Sequence, residues 1–179
     1  MSRPDYRAAR EKSDPRRIGI HIRILWIAES PPASGGYFYF EEASSTNFLF
    51  VETMRALNWW RVDQVMKEGY DKKSLLMRFQ KAGYFLVDLV QRPINNVPDS
   101  VRDAAIQAGI SRLALELKSL DPRNIIVVKA PLYGLLLNAL RGTPYSDRLL
   151  NRGPIPFPNN GHQPKYRRMI ADCISRARS

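Results

Sequence analysis

Cysteine is almost absent from this sequence. Cys173 is the one cysteine among 179 residues, so the chain cannot form an internal disulfide or hold a metal or iron–sulfur cluster through several thiolates. Cys173 falls in a helical apolar pattern with Ile170 and Ile174, which predicts a small packed side chain. We expect neither a bound metal nor another cofactor.

Long apolar runs are also missing. No segment approaches the roughly 18 to 20 uninterrupted apolar residues of a membrane span, although 44% of the residues are hydrophobic. Residues 1–17 are polar and basic and lack the apolar stretch of a signal peptide. These features favour a cytoplasmic protein without a membrane partner. The length favours one domain, which we expect over residues 18–179, preceded by a basic arm over residues 1–17.

Acidic residues are scarce in the last part of the chain. Residues 123–179 contain ten lysines and arginines but two acids, Asp147 and Asp172, and the whole chain has a formal net charge of +11. A basic excess in one region is typical of proteins that bind a polyanion, because each neutralised phosphate releases counterions. Nucleic acid is the favoured partner, and the alternative is a soluble basic surface with no such role.

Apolar runs alternate with helical patterns along the chain. Within the segment 18–29, which is rich in β-branched residues, a strand is predicted for residues 23–28. Further strands are predicted for residues 84–90 and 124–129, with a short extended piece over residues 153–158. Helices are predicted for residues 6–12, 46–60, 74–81, 98–120, 132–140 and 163–178. This alternation predicts an α/β fold, a three-layer sandwich in which helices flank a central, mainly parallel, four-stranded sheet.

Candidate site residues follow the predicted strands, where α/β proteins bind their ligands. Glu29 follows the first strand and is a candidate general base or water ligand, or a structural partner of a helix end. Asp88 interrupts the apolar second strand, so it must either find hydrogen-bond partners or reach a ligand. Before the last helix, Asn159, Asn160 and His162 form a polar turn suited to an anion, although His162 is equally compatible with a structural role.

Four aromatic residues stand in a row from Tyr37 to Phe40. In an extended segment, alternate rings would point to opposite faces. Rings in a basic cleft stack on nucleobases, which is worth about 1–3 kcal/mol per base. We expect at least one ring in the site, and the alternative is that all four pack internally.

Three segments together resemble motifs of the uracil-DNA glycosylase superfamily. Ile-Ala-Glu-Ser-Pro-Pro at residues 27–32 resembles the first motif, Gly-Glu-(Ala/Gly)-Pro-Gly, and Val-Asp-Leu-Val-Gln-Arg-Pro at residues 87–93 resembles Thr-Asn-Val-Val-Lys-Cys-Arg-Pro. Phe-Pro-Asn-Asn at residues 157–160 resembles the last motif, His-Pro-Ser. Asp88 stands in place of the asparagine that reads the base, and Phe157 in place of the histidine. The resemblance covers most of the range from residue 24 to about residue 171.

The resemblance implies a DNA glycosylase that flips a uracil-like base out of DNA and hydrolyses its bond to the sugar. It implies that Glu29 holds or activates water and that His162 replaces the missing histidine. The base would be contacted by Ser30, Pro31, Phe38 or Tyr39, Asp88 and Asn159, and the DNA backbone by Asn160, Lys165, Arg167 and Arg168.

Asp88 alters the expected base recognition, because an ionised carboxylate only accepts hydrogen bonds whereas an amide also donates them. Asp88 would therefore favour a base with an amino group, or it must be protonated. Two alternatives remain open. One is a non-catalytic nucleic-acid-binding module of the same fold, and the other is an α/β enzyme acting on a small nucleotide. We expect a monomer in each case.

Overall fold

The computed structural model describes residues 5–33, 36–42, 47–60 and 71–178. Three parallel strands form the sheet: β1 (Ile24–Ala28), β2 (Tyr84–Asp88) and β3 (Asn124–Val127), in the order β2-β1-β3. Every residue of β1 and β2 is buried, as their nearly continuous apolar sequences predict for a sheet covered on both faces. The three strand ends therefore meet at one edge of the sheet, with β1 in the middle.

The described residues include six α-helices that flank this sheet. They are α1 (Tyr6–Lys12), α2 (Phe48–Ala56), α3 (Lys72–Lys81), α4 (Asp99–Leu120), α5 (Ala130–Leu140) and α6 (Gln163–Arg178). Short 3-10 turns lie at Pro15–Ile18 and Ser146–Arg148. The predicted helices are confirmed, the one over residues 46–60 being shorter, with residue 46 outside the described part of the chain. The mixed α/β class is confirmed with them. None of the described helices is long and apolar enough to cross a membrane.

The prediction of a fourth strand is wrong for the described part of the chain, in which the sheet has three strands. In the segment 153–158, Ile155 makes an isolated parallel bridge to Val128. Ile155 lies between Pro154 and Pro156, and Pro158 follows two residues later. A proline has no N–H, so it cannot donate the hydrogen bond that would extend a ladder between strands. The segment therefore lies beside β3 without becoming a strand.

At both outer edges of the sheet, a side chain makes the hydrogen bonds that the backbone of a further strand would make. At the β3 edge, the Asn151 amide accepts from Val127 N at 2.8 Å and donates to Val127 O at 2.9 Å. At the β2 edge, the Tyr39 hydroxyl donates to Leu86 O at 3.0 Å and accepts from Leu86 N at 2.6 Å. Each side chain satisfies a donor and an acceptor that another strand would otherwise pair.

The helix α1 lies against the loop that follows β1. The Tyr6 hydroxyl donates to Pro32 O at 3.0 Å, and the Tyr6 ring stacks on Phe40 with centroids 5.4 Å apart. Tyr6 also meets the Tyr37 ring edge-on at 5.1 Å. Part of the predicted N-terminal arm thus supports the loop that leads from β1 to the aromatic segment.

Gly109 permits the close approach of α4 to the chain after β2. A Cβ atom at this position would lie 2.4 Å from the Leu89 carbonyl oxygen and 2.9 Å from Leu89 Cγ. The Arg112 guanidinium, on the same side of α4, donates to that carbonyl at 2.6 Å. α4 is therefore held directly against the end of β2, next to Asp88.

Candidate functional site

A cavity of about 270 Å³ opens at the carboxyl ends of the three strands. It is lined by residues that follow each strand, by the loop after β1, by the start of α2 and by the segment 157–159. Its polar and charged lining consists of Glu29, Ser30, Asn47, Asp88, Asn95, Lys129 and Asn159, and its aromatic lining of Tyr37, Phe38, Phe48 and Phe157. We call this cavity the strand-end pocket.

The structure brings six of the sequence-predicted site residues to this pocket: Glu29, Ser30, Pro31, Phe38, Asp88 and Asn159. Tyr39 does not line the pocket, and its hydroxyl instead makes hydrogen bonds with the backbone of Leu86 in β2. Asn160, His162, Lys165 and Arg168 are exposed on the turn before α6 and its first two turns. They lie outside the pocket lining.

Arg167, a predicted DNA contact, is held by a buried acid. Its guanidinium pairs with the carboxylate of Glu52 on α2, a residue only 2% exposed that also pairs with Arg55 at 2.6 Å. In the same helix pair, the Tyr166 and Thr53 hydroxyls are 2.7 Å apart. These contacts give Arg167 a place in the packing of α6 on α2. The apolar sequence of α2 offers no signal for this pairing.

Glu29 is held by two cations that the sequence did not identify. Its Oε1 atom accepts from Lys129 Nζ at 2.6 Å and from Arg102 Nη2 at 2.9 Å, and its Oε2 atom accepts from Arg102 at 2.8 Å. Glu29 is 6% exposed, whereas the side chains of Arg102 and Lys129 are about a third exposed. The buried carboxylate is therefore oriented by two cations that both reach solvent.

Lys129 has an unusual backbone. Its φ of +83° and ψ of 109° lie where a residue with a side chain is rarely found. It follows β3 and precedes α5, and Pro131 occupies the first turn of that helix. Such conformations are commonest at functional sites, where the surrounding structure holds them. Here the turn directs Lys129 toward Glu29 on the central strand.

Asp88 has a different environment from Glu29. It ends β2, is 4% exposed, and accepts a hydrogen bond from the Tyr37 hydroxyl at 3.1 Å. Burial raises the pKa of Asp88 to about 7, although the Tyr37 hydrogen bond and the positive charge of Arg10 act in the opposite direction. The carboxyl group therefore titrates near neutral pH.

The aromatic segment is buried, with Tyr37, Phe38 and Tyr39 each 2–3% exposed. Phe38 packs among the rings of Tyr39, Phe50 and Phe79, with centroids 5.1 to 5.3 Å away, and also lines the pocket. Tyr37, the first of the four rings in the row, lines the pocket as well. The row of rings thus joins the core to the pocket wall.

Two side chains hold the Tyr37 backbone in place. Tyr37 O accepts from Asn47 Nδ2 at 2.9 Å and from Lys72 Nζ at 3.0 Å. Lys72 is 1% exposed, and its ammonium lies 4.9 Å from the centre of the Phe50 ring. Burial lowers the pKa of Lys72 to about 8. The position of the pocket wall depends on this buried lysine, which no sequence motif marks.

These features define a class of protein: an α/β fold with a small pocket at the carboxyl ends of three parallel strands, lined by rings, carboxyl groups and amides. Among the described residues, no group of three or more histidines, cysteines and acids is placed to hold a metal ion. Comparisons with protein families, curated proteins and solved structures find no match for the chain.

Proposed function

We propose that this protein binds a single nucleobase of a DNA strand in the strand-end pocket and hydrolyses the bond between that base and its sugar. The observation that carries the proposal is the combination of pocket-lining rings with a polar wall that contains Asp88 and Glu29. Rings suit the faces of a base, and carboxyl and amide groups suit its edge. This is the function that the resemblance to uracil-DNA glycosylases implies.

The size of the pocket suits a small ligand such as one base. Pockets for drug-sized ligands measure roughly 300–1,000 Å³, and the strand-end pocket measures about 270 Å³. Phe38, Tyr37 and Phe157 supply apolar surface, while Asn95 and Asn159 supply amides. Such a lining accepts a flat heterocycle that has been turned out of a stack, as enzymes that act on bases require.

We propose that Glu29 holds the attacking water. Its Oε1 atom accepts two hydrogen bonds, whereas Oε2 accepts one within the described residues. A carboxylate oxygen has two lone pairs, so Oε2 retains an acceptor position for a water molecule. Arg102 and Lys129 fix the orientation of the carboxylate, and orientation of water and sugar supplies much of the benefit of such a site.

The exposed basic residues near the pocket suit a DNA backbone. Lys165 and Arg168 are exposed on α6, which begins four residues after Asn159 of the pocket wall. The net charge of +11 favours association with a polyanion over the whole surface. The proposal is that these cations hold the strand whose base enters the pocket.

Base release is the direct test. The purified protein is incubated at low salt with duplex and single-stranded DNA carrying uracil, hypoxanthine or oxidised bases, and abasic sites are detected by alkaline cleavage. We expect cleavage at one class of modified base and its loss in Glu29→Gln. No abasic product from any substrate would overturn the hydrolytic proposal.

Salt dependence tests the proposed DNA contacts. Replacing Lys165 and Arg168 together by glutamine should reduce the steepness of the plot of log K against log salt concentration, where K is the association constant for DNA. The slope should change by about 2, because two phosphate contacts are lost. The matched control replaces Lys81 and Lys118, which are exposed on α3 and α4. An equal effect in both double variants would show that binding follows total charge alone.

A non-catalytic binding module is the second candidate, and the pairing of Glu29 supports it. Both carboxylate oxygens already accept from Arg102, and Oε1 also accepts from Lys129. A carboxylate engaged in this way is less available as a base. Salt-dependent DNA binding that persists in Glu29→Gln, without abasic product in the wild type, would select this function.

A further inference from the structure

Asp88 forms part of the wall between two cavities. On one side lies the strand-end pocket, and on the other a cavity of about 250 Å³ beneath α1, lined by Tyr6, Arg7, Arg10, Tyr37, Asp88 and Gln91. Its Oδ2 atom accepts from Tyr37, and no other hydrogen bond or ion pair to its carboxyl group occurs among the described residues. The Oδ1 atom is therefore left to meet a ligand.

The charged and titratable groups around Asp88 come from three elements. The aromatic segment contributes the hydroxyls of Tyr37 and Tyr39, and burial by the same packing raises the pKa of both. α1 contributes Arg10, which lies 3.7 Å from Glu116 of α4. The charge of Arg10 lowers the pKa of Asp88, and that of Glu116 raises it.

The remaining charges nearby are already paired. Across the pocket, Glu29 and Lys129 form an ion pair at 2.6 Å. In the cavity beneath α1, Arg7 pairs with Glu11 at 2.7 Å. Among the described residues, no cation is within ion-pair distance of Asp88, so a neutral hydroxyl is its one partner and both protonation states are accessible.

We propose that the protonation state of Asp88 selects the edge of the heterocycle that the strand-end pocket accepts. Neutral Asp88 donates a hydrogen bond from its carboxyl group to a ring carbonyl, as in uracil. Ionised Asp88 accepts a hydrogen bond from a ring amino group, as in cytosine. The proposal rests on the proposed function, because it requires a heterocycle in this pocket, and it adds the rule by which one is chosen.

The chemistry of a carboxyl group gives this rule its direction. A neutral carboxyl group has one donor and retains acceptor capacity, whereas an ionised one only accepts. With a pKa of about 7, Asp88 is mostly neutral in mildly acidic solution and mostly ionised in mildly basic solution. When ionised Asp88 faces a ring carbonyl, two hydrogen-bond acceptors oppose each other. This should lower the affinity for that base about tenfold or more.

The test uses short oligonucleotides in which every position but one is an abasic spacer. The remaining position carries uracil or cytosine, on a 2′-fluoro sugar that resists hydrolysis, so that the backbone contribution is the same in both. Binding is measured by calorimetry at about pH 5.5 and about pH 8.5, roughly 1.5 units on each side of neutrality. We expect the ratio of the two affinities to change about tenfold toward cytosine as the pH rises.

Three variants identify Asp88 as the origin of the change. Asp88→Asn carries an amide that cannot titrate, and it should show one ratio at both pH values. Tyr37→Phe removes the hydrogen bond that favours the ionised form, so the midpoint of the change should move to higher pH. Glu116→Gln removes a negative charge and should move the midpoint slightly lower.

The outcomes separate the two proposals. If both bases bind more tightly than an all-spacer strand but their ratio is independent of pH, the selection rule is overturned and the proposed function stands. A pH-dependent ratio that persists in Asp88→Asn also overturns the rule. If neither base binds better than the spacer, the pocket does not accept a base, and both proposals fail.

Discussion

The ends of β1 and β2 lie side by side in the sheet, yet the two acids placed there differ in their surroundings. Ala28 is the register partner of Asp88, and Glu29 follows Ala28 directly. Both carboxyl groups are nearly inaccessible, at 6% and 4% exposure. Glu29 faces the cations of Arg102 and Lys129, whereas Asp88 faces the hydroxyl of Tyr37.

Equal burial does not give the two acids the same electrostatic surroundings. A buried carboxylate is stabilised by opposite charges and by donors, and without them it takes up a proton at higher pH. At the carboxyl end of β1, Glu29 is paired with two cations, Arg102 and Lys129. The single neutral donor at the β2 end suits a group that changes its hydrogen-bonding character near pH 7.

The largest predicted effect concerns Asp88, at the carboxyl end of β2. The pKa of Asp88 is raised from an ordinary value of 3.8 to about 7, so between those values the folded state binds more protons than the unfolded state. Folding stability therefore falls as the pH rises through this range and levels off above it. Relative to Asp88→Asn, the free energy of unfolding of the wild type should fall by about 4 kcal/mol between pH 4 and pH 8.

Urea unfolding of both proteins across this pH range measures the difference. Asp88→Asn serves as the reference because an amide of similar shape does not titrate. A difference that rises with pH would mean that Asp88 is paired with a cation in solution, as Glu29 is. The contrast between the two strand ends would then be lost.

The second prediction concerns α4, which contacts both strand ends. It supplies Arg102 to Glu29, and its Gly109 lies against Leu89 next to Asp88. Gly109→Ala would place a methyl group 2.4 Å from a backbone oxygen, so the helix must move. We expect a loss of about 3 kcal/mol in the free energy of unfolding, at the upper end of overpacking costs.

Gly134→Ala is the matched control. Gly134 lies within α5, and a Cβ atom there meets nothing within 4 Å. Alanine favours a helix over glycine by about 0.5–1 kcal/mol, so this variant should be slightly more stable than the wild type. Equal losses in both glycine variants would show that close approach of α4 is not the cause.

Much of the fold could be predicted from the sequence because its strands are almost wholly apolar and because buried apolar residues recur at helical spacing in its helices. Residues 24–28 and 84–88 have no polar residue before Asp88, as a doubly covered parallel strand requires. The fourth strand was predicted wrongly, because alternate prolines allow an extended chain but not a ladder. The side-chain pairing of Asn151 and Tyr39 at the sheet edges left no periodic signal.

The candidate site could be predicted in part. Residues that follow a strand converge on one edge, so Glu29, Asp88 and Asn159 meet in one pocket as topology requires. Arg102 lies 73 residues from Glu29 in the sequence, within a helix whose placement depends on Gly109. Neither the pairing of Arg102 with Glu29 nor the positive φ of Lys129 can be derived from local sequence, because both follow from tertiary packing.

The third prediction concerns the ion pairs of Glu29, at the carboxyl end of β1. Glu29→Gln keeps the shape of the side chain but removes the charge that pairs with Arg102 and Lys129. Breaking a fully buried ion pair costs about 3–5 kcal/mol. Both cations are about a third exposed and partly regain solvent, so we expect a loss of about 2 kcal/mol in the free energy of unfolding at pH 7, measured with urea.

Two further variants show whether this loss arises from buried charge. Glu41→Gln removes an exposed acid that pairs with Lys12 at 2.7 Å and with Lys73 at 3.7 Å, and it should leave stability unchanged because solvent screens those pairs. Combining Glu29→Gln with Arg102→Met should recover part of the loss, since the double variant has one fewer unpaired cation. Additive losses in the double variant would mean that Glu29 and Arg102 act independently, and the β1 end would then resemble the β2 end in lacking a dominant charge partner.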